Sequence, residues 1–128
     1  KERRKVMPVN AIHKNASLSK STKISHGNFI DDGSVLGANC EIGSYNLLHA
    51  GVIIDYDVII GQFVQIGAGT VIGAGVKIQD EVFIGAGAII VPGIIIGKKA
   101  RIGAGSVVVE NVDDSVTVFG NPAKPVNV

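Results

Sequence analysis

Every sixth residue from Ile12 to Val108 is aliphatic, seventeen positions in unbroken register. A helix repeats its apolar positions about every 3.6 residues and a half-buried strand about every 2, so a period of six requires a short strand and a turn, repeated. Two residues before each core position stands a residue that is mostly small or β-branched, running from Ala16, Thr22 and Asn28 through Val76 and Val82 to Ser106. Strand alternation turns both sets to one side, so each hexad predicts a strand facing a common interior. The chain reads as a solenoid, with its function on the outside.

The glycines locate the turns. Of 17, eight fall one residue after a core position and eight fall three after, leaving only Gly120 outside the pattern. Where glycine is missing three after, Asn15, Asn39, Asp57 and Asn111 are among the replacements, residue types that tolerate positive φ. A corner in that conformation is therefore expected in each hexad, and beyond Val108 the repeat is expected to stop.

An aliphatic residue, then Gly, Ala, Glu or Asp, two free positions and a small residue make a unit that resembles the hexapeptide-repeat acyltransferases. The resemblance covers about residues 10 to 125 and includes the ending Gly120-Asn121-Pro122-Ala123-Lys124, similar to the G-x-P-A-K close of bacterial members. It implies an all-β left-handed parallel β-helix, a triangular prism with three hexads per 18-residue coil. The expected organisation is a basic segment or linker remnant over 1–10, the β-helix over 11–112 and a fold-back segment over 113–128. Family members usually carry a nucleotide-sugar-binding α/β domain ahead of the prism. The expectation here is a chain without it, either truncated or a stand-alone enzyme.

Residues 18 apart should then stack like neighbouring strands, about 4.8 Å apart. Asn10, Asn28 and Asn46 fall in one interior column, an asparagine ladder able to satisfy its own amides. Outward, Ser17, Val35, Ile53, Val71, Ile89 and Val107 form one aliphatic stripe, which on a soluble monomer is a liability and points to another subunit. Beside it run Ala50, Ala68, Ala86 and Ala104, a smooth column fit either for a long thin ligand near backbone amides or for tight subunit packing. Family members are homotrimers that bind acetyl-CoA between neighbouring prisms, which is what the resemblance implies here.

Composition narrows the classes. The chain has 128 residues, 46% of them hydrophobic, which fits one compact domain. A net charge of +1 with few aromatics gives no nucleic-acid footprint, and no apolar run approaches the roughly 18 residues of a membrane span. Residues Lys1 to Lys5 hold four basic side chains but no apolar signal region follows, so a cytoplasmic protein is expected. A single cysteine excludes an intrachain disulfide framework and a multi-cysteine zinc site, and Cys40 is expected buried and inert.

Acyl transfer from CoA needs a base for the acceptor's proton and amide donors for the thioester oxygen. The chain is similar to the sugar acetyltransferases of the bacillosamine and sialic acid pathways, which act on nucleotide-linked amino sugars or sialic acids. That likeness puts Tyr56 in the place of the catalytic histidine, Asp57 in that of its carboxylate neighbour and Gln65 in that of a second histidine. Tyrosine, with an ordinary pKa near 10, is a poor base at neutral pH. Gln65, Ala86 and Ala104 match positions that contact acetyl-CoA in these relatives, and Arg101, Lys98 or Lys99 are candidates for its phosphates.

His49 is the alternative base. His13, Asp31 and His49 are successively 18 apart, so the column is expected to put a carboxylate between two rings, raising and orienting a histidine. No metal is expected: two coils, about 9.6 Å, separate His13 from His49, against zinc–nitrogen bonds of about 2.0–2.1 Å. The expected function is acetyl-CoA-dependent transfer to an amino sugar or nucleotide sugar. The alternative is a non-catalytic trimeric scaffold that has lost its histidine.

Overall fold

The computed structural model describes residues 8–127. The part of the expected basic segment that covers 1–7 lies outside the described residues. Seventeen two-residue strands recur every six residues from β1 (Ala11–Ile12) to β17 (Val107–Val108), so that strand n holds residues 6n+5 and 6n+6. Two longer strands, β18 (Thr117–Gly120) and β19 (Ala123–Pro125), follow.

The strands wind into three parallel sheets with partners 18 residues apart. Sheet A runs β1, β4, β7, β10, β13, β16, β18; sheet B holds β2 to β17 and sheet C holds β3 to β15, each taking every third strand. The molecule is a left-handed parallel β-helix, as the hexad unit implied. From Ile30 upward the core positions are buried, while Ile12 at the open first coil is 41% exposed.

Polar residues at the second inward position follow one rule, except Ser106, whose Oγ accepts from the Gly120 amide (3.1 Å). The side chain of residue i donates to the carbonyl of residue i+15 on the coil above: Thr22 to Gly37 (2.9 Å), Asn28 to Gly43 (2.8 Å), Ser34 to His49 (3.1 Å), Cys40 to Asp55 (2.9 Å), Asn46 to Gly61 (2.9 Å) and Thr70 to Gly85 (3.1 Å). That is why small polar side chains sit in this core without orphaned donors. The asparagine ladder forms, but mostly through the backbone: Asn10 Oδ1 accepts from the Asn28 amide (2.9 Å), Asn28 Oδ1 from that of Asn46 (2.9 Å) and Asn46 Oδ1 from that of Val64 (2.8 Å). Cys40 is fully buried, and burial pushes its thiol up, the state of an inert cysteine.

One expectation is corrected. Left-handed φ does recur at every sixth residue, from Gly27 to Gly105, but Asn15 and Asn111 are not among them while Tyr45, Phe63, Glu81 and Lys99 are. The geometry of the corner overrides residue preference, and its cost of about 1–2 kcal/mol per residue is offset in part at Tyr45 and Phe63 by stacking of the two rings, centroids 5.2 Å apart. The hexad repeat stops at Val108, as expected, but the winding continues through one further coil. Val112 bridges Ile96 and Val118 pairs with Ile102, both 16 residues on, so a last coil two residues shorter buries Val112 and Val118. The antiparallel strand β19 then folds back on β18, Phe119 opposite Lys124.

Candidate functional site

The three corners differ in chemistry. The corner from sheet C to sheet A carries His26, Tyr45 and Phe63 in an aromatic ladder, continued by Glu81 and Lys99. The corner from B to C carries Tyr56 and Asp57, both exposed, with Asp57 at φ 60°. The corner from A to B is glycine at Gly33, Gly51, Gly69, Gly87 and Gly105, every one with positive φ.

On its upper coils the A-to-B corner reads Gly67-Ala68-Gly69, Gly85-Ala86-Gly87 and Gly103-Ala104-Gly105. The two glycines of each triplet have different causes. A Cβ on Gly69, Gly87 or Gly105 would meet nothing within 4 Å, so their requirement is conformational. A Cβ on Gly67 would fall on the Ala86 amide nitrogen and one on Gly85 would lie 2.6 Å from that of Ala104, so these positions are needed because successive coils touch there. The result is a flat ledge of backbone with only alanine methyls standing on it.

The amides of that ledge are bare. The carbonyls of Ala50, Ala68 and Ala86 accept from Gly69, Gly87 and Gly105 (3.0, 2.9 and 2.9 Å), but among the described residues nothing accepts from the amides of Ala68, Ala86 or Ala104. At some other corners a carboxylate caps this register position: Asp55 Oδ1 accepts from the Tyr56 amide (2.8 Å), Asp80 Oδ1 from that of Gln62 (3.0 Å) and Asp114 Oδ1 from that of Lys98 (2.9 Å), while the amides of Ala38, Ala50 and Ala74 have no acceptor among the described residues either. The ledge therefore carries, on exposed alanines at coil spacing of about 4.8 Å, a row of amides without an acceptor among the described residues. Concavities occur on sheet C around Lys23, Glu41 and Ile59 and beneath the fold-back segment around Val112, Val118 and Pro125.

At the foot of the ledge stands His49, half-buried, in the same column as Gly67, Gly85 and Gly103. Its Nε2 lies 3.3 Å from Nε2 of Gln65, which points outward from β10 on the next coil. At the top of sheet A, the Arg101 guanidinium lies 4.9 Å over the Phe83 ring. His49, Gln65, Ala86, Arg101 and Ala104 thus share sheet A and its edge with B, whereas Tyr56 and Asp57 stand across sheet B, and Lys98 and Lys99 across sheet A.

The histidine column behaves differently from its spacing. Asp31 Oδ1 accepts from the amide of Asp32 (2.7 Å) in its own turn and pairs with neither ring. His13 Nδ1 instead accepts from the Asn15 amide (3.0 Å) and lies 3.6 Å from Asp32 Oδ1. A carboxylate spanned by two imidazoles is therefore not formed, because the short Asp31 side chain is captured by its own corner. Among the described residues no three His, Cys, Asp or Glu side chains converge as metal ligands would.

Comparison with known proteins agrees with this architecture. Residues 57–92 and 75–110 match the model of the bacterial transferase hexapeptide (six repeats). A point mutant of GDP-perosamine N-acetyl transferase from Caulobacter crescentus, in complex with CoA and GDP-perosamine, is 34% identical with a TM-score of 0.94, over 95% of this chain and 58% of that one. The acetyltransferase domain of PglB from Neisseria gonorrhoeae, in complex with acetyl coenzyme A, is 30% identical with a TM-score of 0.92, over 94% and 58%. A mutant of AntD, an N-acyltransferase from Bacillus cereus in complex with dTDP and coenzyme A, is 25% identical with a TM-score of 0.87, over 94% and 82%. No curated protein matches the sequence significantly. The chain thus spans little more than half the length of the first two relatives, 58% of each. It is a hexapeptide-repeat domain of the bacterial transferase type, similar over nearly its whole length to the repeat domain of sugar N-acetyltransferases.

Proposed function

We propose that the chain is the acyl-donor-binding and catalytic part of an acyl-CoA-dependent transferase, with acetyl-CoA as donor and the amine of an amino sugar, carried on a nucleotide, as acceptor. The observation that carries this reading is the ledge of unpaired amides on Ala68, Ala86 and Ala104. A pantetheine arm spans twelve bonds from phosphate oxygen to sulfur, about four residues of extended chain or about 14 Å. Three coils, from the level of Gly103 down to His49, also span about 14 Å. The arm's two amide carbonyls can each take a bare N–H, and Arg101 stands at the upper end for phosphate. The CoA and nucleotide-sugar ligands of the relatives support the same classes of donor and acceptor.

The cleft is completed in this reading by a homotrimer. Sheet B lies between the ledge corner and the Tyr56 corner, and its outward Val35, Ile53, Val71 and Ile89 remain 38–44% exposed. With sheet B turned to a threefold axis, the ledge of one subunit faces Tyr56 and Asp57 of the partner subunit. Seven residues of an 18-residue coil correspond to a rise of about 2 Å, so His49 and Tyr56 of the partner subunit meet at one height. Val71→Asp would place three charges around the axis and is expected to give monomers by sedimentation, whereas a trimer surviving that change would remove sheet B from the interface.

The acceptor amine, once deprotonated, needs less help from a base than a hydroxyl does, which lessens the consequence of Tyr56 at the histidine position. The donor class fits a cytoplasmic location. No helix of the described residues is long and apolar enough to cross a membrane. The feature that favours a non-catalytic trimeric scaffold is Tyr56 itself. Release of free thiol from acetyl-CoA with GDP- and dTDP-linked amino sugars separates the two: turnover with any of them is expected, and acetyl-CoA binding without turnover across the panel would favour the scaffold.

A further inference from the structure

We propose that His49 donates a hydrogen bond from Nδ1 to the thioester oxygen, and that Gln65 holds its ring in the tautomer that can do so. This rests on the reading of the ledge as the acyl-donor site and assigns the group at its foot.

The Nε2 atoms of Gln65 and His49 are 3.3 Å apart. An amide nitrogen has only protons to offer, so Gln65 donates and the ring's Nε2 accepts; in the neutral imidazole the proton then resides on Nδ1. Among the described residues no group hydrogen-bonds His49 Nδ1. His13, two coils below in the same column, is the contrast: its Nδ1 accepts from the amide of Asn15 at 3.0 Å and is occupied by its own turn. His49 is also fixed through its main chain, its amide donating to Ile66 O at 3.0 Å.

Position gives the donor its target. Descending the ledge, Gly103, Gly85 and Gly67 have no side chain, and His49 is the first that the arm's acyl end meets. In the reaction the acceptor nitrogen bonds to the thioester carbon and the carbonyl π pair moves onto oxygen. His49 Nδ1–H bonds that oxygen as it becomes negative. The pair then returns, the C–S bond breaks and the amine proton passes to the departing thiolate, so amide and free CoA thiol leave with His49 unchanged. A histidine held this way is no base, because its one lone pair is already engaged.

Two spectroscopic readouts test this without requiring the acceptor. In the full chain labelled with nitrogen-15, two-bond nitrogen–proton correlations are expected to show neutral His49 protonated at Nδ1. At a pH high enough to keep the ring neutral beside a carboxylate, Gln65→Glu, whose carboxylate only accepts, should move that proton to Nε2, and Gln65→Leu should give a mixture. With acetyl-CoA carrying carbon-13 in its carbonyl, binding should shift the resonance downfield, and the shift should be lost in His49→Phe and Gln65→Glu. A wild-type ring protonated at Nε2, a tautomer indifferent to Gln65, or a carbonyl shift kept in both variants would overturn the assignment. Failure of the wild type to bind labelled acetyl-CoA would instead remove the donor-site reading on which the assignment depends.

Discussion

Gly85→Ala is expected to destabilise the chain by about 3–5 kcal/mol, whereas Gly87→Ala, two residues away, costs about 1 kcal/mol. At Gly85 the new methyl would stand 2.6 Å from the amide nitrogen and 2.8 Å from the Cα of Ala104, and 3.1 Å from the carbonyl carbon of Gly103. All three are backbone, so no rotamer relieves the contact. The coils must separate locally, weakening the bond from the Gly85 amide to Ile102 O, 2.8 Å in the intact structure. Gly87 has φ 71° and open space beyond it, so alanine there meets only the left-handed penalty, partly returned by a stiffer unfolded chain. Urea unfolding of the two variants checks this. Equal losses would mean that the coils do not touch at Gly85.

Ala86→Leu is expected to leave unfolding unchanged and to weaken acetyl-CoA binding at least about 100-fold, about 2.7 kcal/mol. Ala86 is exposed, its carbonyl is already bonded to the Gly105 amide at 2.9 Å, and its methyl points away from the prism. Three added carbons therefore disturb no core contact. They stand on the ledge where the arm would lie and cover the amides of Ala86 and Ala104. Gln62→Leu, at the equivalent register position on the C-to-A corner and away from the proposed cleft, tests whether an exposed leucine on a corner is harmful in itself. Calorimetric titration of each variant distinguishes a blocked ledge from a general effect: equal weakening by both would separate the binding from this ledge.

Much of this was legible in the chain because a repeat converts sequence distance into spatial position. The hexad set the interior, the columns at 18 put Ala68, Ala86 and Ala104 on one edge, and the outward aliphatic stripe became sheet B. The bare amides were not legible, since they depend on which carboxylates bend back to cap a corner, as Asp55, Asp80 and Asp114 do. Side-chain reach also defeated the histidine column, where Asp31 caps its own turn and leaves His13 to Asp32. The contact between His49 and Gln65 spans 16 residues and falls off the 18-residue column, so no stacking rule finds it. Tyr45 and Phe63 escaped for a different reason: the left-handed corner is imposed by neighbouring coils, and residue preference is a weaker force than the closed prism. The shortened last coil was hidden because Asp114 and Gly120 occupy the places where the hexad would put core residues.

Calorimetric titration of the wild-type chain with acetyl-CoA tests the central claim most directly. The account predicts saturable binding with one site per chain, at a dissociation constant well below millimolar. No heat of binding at millimolar acetyl-CoA, in a sample shown to be folded, would contradict it.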